Sequence, residues 1–391
     1  MERILITGGA GFIGSHLAER LVAAGYAVRV VDAFVPQVHG EGGCSVREPR
    51  GAWLERAGAE VMVGDVRSPE VLRRALRDVQ GVVHLAAAVG VGQSMYRIAD
   101  YAAVNMQGTA ALLQALLPAR RVAGKGGRRG REPGVRVRRL VVASSMSVYG
   151  EGAGHCPACG PVTVAARKRE QLEHGDWEPK CPHCGGATEP APTREDKAAD
   201  PRSIYAISKL AQEQMVRCFG QAYGVPAVAL RFFNVYGPGQ ALGNPYTGVA
   251  ALFSARLRAG EPVPIFEDGR QQRDFINVRD AARACHLALQ SGISGTFNIA
   301  SGEPVTIAAL AEELAATVGR PLRKDRGGAF RIGDVRHCLA DTDAAAGQLG
   351  FRAEVPRRQG LGELAEWLER QPEVRPVQTA REELRAFGLG G

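Results

Sequence analysis

The stretch "RILITGGAGFIGSHLAERL", residues 3 to 21, constrains the fold more than any other part of this 391-residue chain. A short run of aliphatic residues passes directly into a helical pattern over 12 to 24, with Gly8, Gly11 and Gly14 at the turn. Glycines so placed let backbone N–H groups and the positive end of a helix approach a pyrophosphate, because no Cβ atoms intervene. The alternation then continues through "AVRVVD", a helix near 68 to 77, "GVVHLAA", a helix from about 94 to 117, and "RLVVASS". Strands and helices in strict alternation are joined by right-handed crossovers. The expected class is therefore α/β, with a doubly wound parallel sheet of the Rossmann type.

Asp32 ends the second strand at the distance where a carboxylate binds both ribose hydroxyls of NAD and repels the extra phosphate of NADP. Gly64 and Asp65 stand where such folds hold the adenine edge. The pattern divides the chain into an NAD-binding domain, 1–231, and a smaller mixed α/β substrate-binding region, 232–370, some of whose segments return to the first domain. A charged, Pro-containing appendage, 371–391, follows. Two segments interrupt the first domain, a basic loop at 120–139 and a cysteine-bearing insert at 151–192.

The net charge of +8 invites a nucleic-acid reading until its location is considered. The basic loop holds nine Lys and Arg against Glu132, so the rest of the chain is formally neutral. So Gly-rich a run, with little apolar surface, is expected to be a solvated loop, and a nucleic-acid partner is not expected. No apolar run of about 18 residues is present and the chain enters a strand at once, so the expectation is a cytoplasmic protein without leader or membrane contact.

Tyr205 and Lys209 lie at i and i+4 in "SIYAISKLAQEQ", on one face of a predicted helix. A free phenol, with a pKa of about 10, is a poor base near neutrality. An ammonium one turn away, together with a positively charged nicotinamide, is expected to stabilise the phenolate. Ser145, at the end of the strand in "VVASSMSVYG", offers a second hydrogen bond to the same substrate oxygen.

Cys156, Cys159, Cys181 and Cys184 form two C-P-x-C-G units. In a chain without an export signal this spacing points to metal rather than disulfides. Four thiolates leave no open coordination position, so a structural zinc is expected, in a zinc-ribbon-like insert, rather than a catalytic metal or a redox pair. The insert separates Ser145 from Tyr205, and its exit must be pinned for Tyr205 to be placed accurately.

With these motifs in hand, the chain resembles the extended short-chain dehydrogenase/reductase superfamily, in its nucleotide-sugar epimerase and dehydratase branch. The resemblance runs from residue 1 to about 370, the basic loop excepted. It implies a bound NAD, a nucleotide-sugar substrate, and a homodimer formed through the helices near 94 to 117 and 203 to 223. The branch places its serine four residues before the tyrosine of V-Y-G, which selects Ser145 before Tyr149. Around the cofactor the resemblance implies Gly8, Gly11, Phe12, Ile13 and Gly14 in the first turn, and Asp32, Asp65 and Val66 at the adenosine. Leu85, Ala86 and Ala87 would close "GVVHLAA", with Asn105 near the active-site helix and Ser144 and Lys209 completing the cofactor set. For the substrate it implies Ser145, Tyr205, Asn234 and Asn244, with Arg273 and Arg331 gripping the diphosphate through their planar donor forks.

Dehydratases of that branch carry Asp-Glu between the serine or threonine and V-Y-G, and related decarboxylases usually keep the glutamate. Here those positions are Met146 and Ser147, which transfer no protons usefully. The reaction implied is oxidation to a 4-keto sugar and re-reduction on the opposite face, a 4-epimerisation. "GQSMYRIADYAAVNMQGT", "ALGNPYTGVAALF", "EDGRQQRDFINVRD", "RIGDVRHCLAD" and the cysteine insert together resemble the dTDP-L-rhamnose 4-epimerase group, which makes dTDP-6-deoxy-L-talose. Three other readings stay open: an epimerase of another UDP-, GDP- or dTDP-sugar, an NAD(P)H-dependent keto-sugar reductase, and, more remotely, an NAD-binding scaffold whose insert binds nucleic acid.

Overall fold

The computed structural model describes every residue except 41–43, 47, 118–136, 242–247, 326–328, 372–385 and 389–391, and the side chains at 44–46 and 48–49 are likewise outside it. Most of the basic loop, most of the 371–391 appendage and Asn244 therefore lie outside the described residues.

Seven strands form one fully parallel sheet: β1 (Arg3–Thr7), β2 (Ala27–Asp32), β3 (Glu60–Val63), β4 (Gly81–His84), β5 (Arg139–Ser145), β6 (Ala227–Phe232) and β7 (Gly295–Ile299). Their order is β7-β6-β5-β4-β1-β2-β3, with the reversal of direction beside β1, directly above the glycine turn. Open α/β sheets bind ligands at that reversal, beyond the carboxyl ends of the strands. Helices α1 (Phe12–Ala23) and α4 (Val278–Ser291) cover one face. Leu17, Leu21, Ala284 and Leu289 are buried there against Ile4, Ile6, Val30 and Leu230. On the other face α2 (Gly108–Ala115) and α3 (Ile204–Tyr223) pack Leu112, Leu113, Val216 and Phe219 on Leu5, Val82, Leu140 and Ala229. The strands alternate their side chains between the two layers, as burial on both faces requires.

Two local departures from the sequence reading matter. β3 was not anticipated, because "EVMV" is short and only partly buried at the sheet edge. The helix expected over 94 to 117 is broken into Val91–Ser94, Ile98–Tyr101, a π-helical turn Ala102–Gln107, and α2.

A second, mixed sheet runs in the order Asn234–Tyr236, Gln272–Asn277, His337–Ala340, Glu189–Thr193, Ala153–Cys156 and Gly160–Thr163. The first four run parallel, Ala153–Cys156 is antiparallel to both of its neighbours, and a seventh strand, Pro304–Thr306, pairs antiparallel with Gln272–Asn277. Helices Val249–Arg258, Ile307–Val318 and Arg357–Glu369 cover it with Phe253, Leu257, Leu310, Leu314 and Leu364. The cysteine-bearing segment is thus not a freestanding ribbon, since three of its strands extend this sheet. Its own apolar cluster is only Val162 and Val164 with Cys156 and Cys181. Two buried valines contribute about 3–6 kcal/mol, whereas ordering costs about 1–2 kcal/mol per residue. The segment must therefore be held by its neighbours.

Candidate active site

The glycine turn is built so tightly that side chains are excluded. Gly8 has φ +69°, and a Cβ there would lie 2.6 Å from the Ala86 backbone nitrogen. A Cβ on Gly14 would lie 2.5 Å from the Gly8 carbonyl oxygen. Helix α1 begins after Gly11 with no side-chain cap, and partly buried Phe12 and Ile13 flank its first turn. An uncapped helix start with room for backbone approach fits a pyrophosphate. Asp32 is nearly buried at the end of β2, where its Oδ2 accepts from Ala10 N at 3.0 Å and its Oδ1 from Phe34 N at 2.9 Å. His39 stands 3.4 Å from the same carboxylate. Asp65 is half-exposed and paired with Arg67, whose hydrogen bonds hold its carboxyl below the usual range, and Val66 is buried beside it. These residues fit the adenosine half of a dinucleotide.

Asn105, fully buried in the π-helical turn, accepts from Ala88 N at 2.7 Å and donates to Ala88 O at 3.0 Å and to Ser208 Oγ at 2.8 Å. It thereby ties the loop containing Leu85, Ala86 and Ala87 to the helix that carries Tyr205. A π turn widens the helix locally, which is how these insertions come to serve sites.

Helix α3 starts at a Ser203 cap, with Ala206 N donating to Ser203 Oγ at 3.1 Å, so Tyr205 and Lys209 fall in its first two turns. Lys209 Nζ donates to Ala143 O at 3.0 Å, fastening the helix to β5 two residues before Ser145. The Ser145 hydroxyl is hydrogen-bonded to Tyr205 and accepts from Ser147 Oγ at 2.9 Å. Tyr101 closes the other side of Tyr205, edge to face with centroids 6.4 Å apart. Ser145 and Tyr205 therefore meet, and Lys209, one helical turn along, is held to the strand that carries Ser145. Burial pushes the Tyr205 phenol up to about 12, against the Ser145 hydrogen bond, and pushes Lys209 down to about 7. The lowered phenol expected from the sequence is not found in the chain by itself, because desolvation of the phenolate dominates there.

Ser144 behaves differently from its neighbour. Adjacent strand residues face opposite ways, and the Ser144 hydroxyl donates to buried Glu213 at 2.8 Å, which also pairs with Arg231 at 2.7 Å. Only its backbone remains for a cofactor.

On the substrate side, Asn234 follows β6 with its buried Oδ1 lacking a hydrogen-bond partner. Arg331 stacks on Phe266 at 4.2 Å. Arg273 is nearly buried, its guanidinium donating to the carbonyls of Val335 and Arg336 and lying 3.6 Å from Asp334. One edge of that donor fork is thus committed to the segment that follows Arg331.

The four cysteine sulfurs lie within 4.8 Å of one another. Among the described residues theirs is the one group of His, Cys, Asp and Glu side chains arranged to hold a metal. His183 N donates to Cys181 Sγ at 3.4 Å, and Cys181 is drawn down to about 6, first by the Cys184 backbone N–H.

Sequence reasoning missed two buried polar groups. His84 contacts Thr7 at 2.7 Å and Thr109 at 2.9 Å, with Gln212 donating to Thr109 at 2.8 Å, and burial drives the imidazole down to about 3. The other is an ionic cluster around fully buried Arg336, joined by Glu151, Arg167, Glu178, Glu267 and Asp268. Its only signal was the second arginine of "FRIGDVRH", which reads like any surface charge.

Residues 4–170 and 182–300 match the NAD dependent epimerase/dehydratase family, and the gap falls in the cysteine-bearing insert. The dTDP-L-rhamnose 4-epimerase of Burkholderia thailandensis is 36% identical over 94% of this chain and 95% of its own. Among solved structures, the UDP-glucose 4-epimerase of Thermotoga maritima with UDP-glucose is 27% identical, with a TM-score of 0.70 over 94% of this chain and 98% of that one. The Thermus thermophilus UDP-glucose 4-epimerase complexed with NAD is also 27% identical, with a TM-score of 0.69 over 94% and 99%.

Proposed function

Because the chain belongs to the NAD dependent epimerase/dehydratase family and is an NAD-dependent sugar-nucleotide epimerase, an isomerase, we propose that it inverts C4 of a dTDP-linked 6-deoxysugar, dTDP-L-rhamnose giving dTDP-6-deoxy-L-talose. The substrate reading is supported by the 36% identical relative of that activity. The reaction type is carried by one observation: Ser147, where an eliminating enzyme needs a carboxylate, is a hydroxyl hydrogen-bonded to Ser145 at 2.9 Å.

Residues 1–231 hold the cofactor and 232–370 the sugar nucleotide in this reading. Bound NAD supplies a hydride acceptor that later returns the hydride. Tyr205 takes the proton of the C4 hydroxyl and gives it back to the 4-keto sugar after that sugar has turned over. Ser145 holds the same oxygen through its hydroxyl. Lys209 keeps the helix against β5 and, when protonated, favours the phenolate. Asp32, already anchored by two backbone N–H groups, favours NAD over NADP through repulsion of a 2′-phosphate. Arg331 and Arg273 take the diphosphate, and the unpartnered Oδ1 of Asn234 accepts from the substrate.

The four cysteines fit a structural zinc, which supplies a crosslink between the two C-P-x-C-G turns. No helix among the described residues is long and apolar enough to cross a membrane, and we place the enzyme in the cytoplasm as a homodimer.

The test is incubation of the protein with a panel of dTDP-, UDP- and GDP-sugars, with product identification and nicotinamide absorbance followed together. Expected is 6-deoxy-L-talose from dTDP-L-rhamnose without net cofactor change. Stoichiometric consumption of reduced cofactor would instead make the enzyme a keto-sugar reductase.

A further inference from the structure

Glu178 lies in the cysteine-bearing insert, three residues before Cys181, yet its contacts are on the substrate side of the molecule. Oε1 accepts from Arg336 Nη2 at 2.6 Å and from Nε at 3.1 Å, and Oε2 lies 2.9 Å from His337 Nε2. Gln272 N donates to His337 Nδ1 at 3.2 Å, so Nε2 carries the proton and donates to Glu178. Both of the residues that Glu178 holds act on Arg273. Arg336 offers its carbonyl oxygen to Arg273 Nη1 at 2.9 Å, and His337 grips the backbone immediately before Arg273. Next to Glu178, Trp177 packs on Phe330, with centroids 6.3 Å apart, and Phe330 directly precedes Arg331.

The insert side of this contact is itself braced. Cys181 N donates to Gly186 O at 2.8 Å, Thr188 N donates to Pro179 O at 3.2 Å, and Lys180 bridges Ala187. The loop bearing the second cysteine pair thus closes directly behind Glu178.

Charge neutralisation does not explain Glu178. Arg336 already meets Glu267 at 2.9 Å and Asp268 at 2.7 Å, both in its own lobe. Glu151 and Arg167, also of the insert, take only the backbone here, Glu151 at Arg336 N and His337 N and Arg167 at Asp334 O. What Glu178 adds is a tie from the insert to the side chains of Arg336 and His337.

We propose that Glu178 is a positioning residue for the nucleotide end of the substrate, setting Arg273 and Arg331 through Arg336, His337 and the Trp177–Phe330 contact. The insert then governs how tightly the nucleoside diphosphate is held, while the hydride and proton steps at Tyr205 proceed as before. This rests on the reading of Arg273 and Arg331 as diphosphate ligands.

The experiment uses the full-length, NAD-loaded protein with Glu178→Gln, Glu178→Asp and Trp177→Leu. Calorimetry with dTDP and with UDP is read beside kcat and KM, and retained NAD reports on folding. Glu178→Gln and Trp177→Leu should each weaken nucleotide binding and raise KM roughly 3- to 30-fold, the range for a positioning contact. They should leave kcat within about twofold and NAD retention unchanged, and Glu178→Asp should recover part of the affinity. Should Glu178→Gln fail to retain NAD, Trp177→Leu decides by the same readout. Unchanged nucleotide affinity overturns the proposal, as does a fall in kcat at constant KM, which would assign the insert's influence to Tyr205. Wild-type protein binding neither dTDP nor UDP overturns the functional reading itself, a failure visible before any substitution is compared.

Discussion

At Tyr205 and Lys209 burial acts against both of the charges the chemistry needs, raising the phenol to about 12 and lowering the ammonium to about 7. The effect on stability has a definite sign. In the unfolded chain Lys209 titrates near its ordinary value of about 10.4, so between pH 7 and 10 the unfolded state binds a proton that the native state has released. Stability therefore rises with pH across that window and carries the full Lys209 penalty below about 7. Tyr205 opposes this only above pH 10, where the unfolded phenol ionises and the native one does not. Melting temperatures of NAD-stripped protein should climb from pH 7.5 to 9.5, and Lys209→Met should flatten the slope. An equal slope in the variant would remove Lys209 as its source. In the holoenzyme, Tyr205→Phe should cost at least ~10²-fold in kcat, the lower end for a general base, with NAD retained because the glycine turn lies on another element. Near-normal turnover would displace Tyr205 from the proton-transfer role.

The strand–turn–helix unit at the start of the chain is where an element was most legible in advance. Its requirements are local: a positive φ at Gly8 and backbone contact at Gly14 leave no alternative residue. Gly14→Ala should abolish retention of NAD and lower stability by about 1–3 kcal/mol through overpacking, checked by absorbance of the purified protein and by denaturant unfolding. Wild-type NAD content in that variant would contradict the tight packing of the turn. The segment from 91 to 115 was less legible. Its apolar spacing reads as one helix, but Asn105 bonds both backbone groups of Ala88, and the wider π turn that presents it interrupts the α-helical ladder. A side chain's partner 17 residues away leaves no trace in helical periodicity.

Across the whole molecule, the helices from 91 to 115 and α3 share an unusual surface. Val91, Met95, Ile98, Met106 and Ile207 are between 37 and 52% exposed. Ile207 faces outward between Tyr205 and Lys209, so a second copy docked on this surface would brace the helix that bears them. Ile98→Asp combined with Ile207→Asp should shift the protein from dimer to monomer in light scattering at micromolar concentration and reduce turnover. A monomeric wild-type protein under the same conditions would remove the dimer from the proposal.

The chain's sequence determined by itself whatever depends on neighbours within a turn or a strand. The glycine turn, the alternation that makes a parallel sheet, the Tyr205–Lys209 pair on one helical face and the two C-P-x-C-G units all belong here. Each follows from backbone geometry that only certain residues tolerate or from a fixed side-chain period. Tertiary structure alone decided the rest. It turned Ser144 away from Ser145 toward Glu213, and it committed one edge of Arg273 to the carbonyls of Val335 and Arg336. It also made the cysteine-bearing segment part of the second sheet, tied by Glu178 to Arg336 across 158 positions. An ion pair of that separation is invisible in sequence because each partner alone looks like a solvated charge. Only the fold, by removing water from the Arg336 guanidinium, makes a carboxylate partner obligatory.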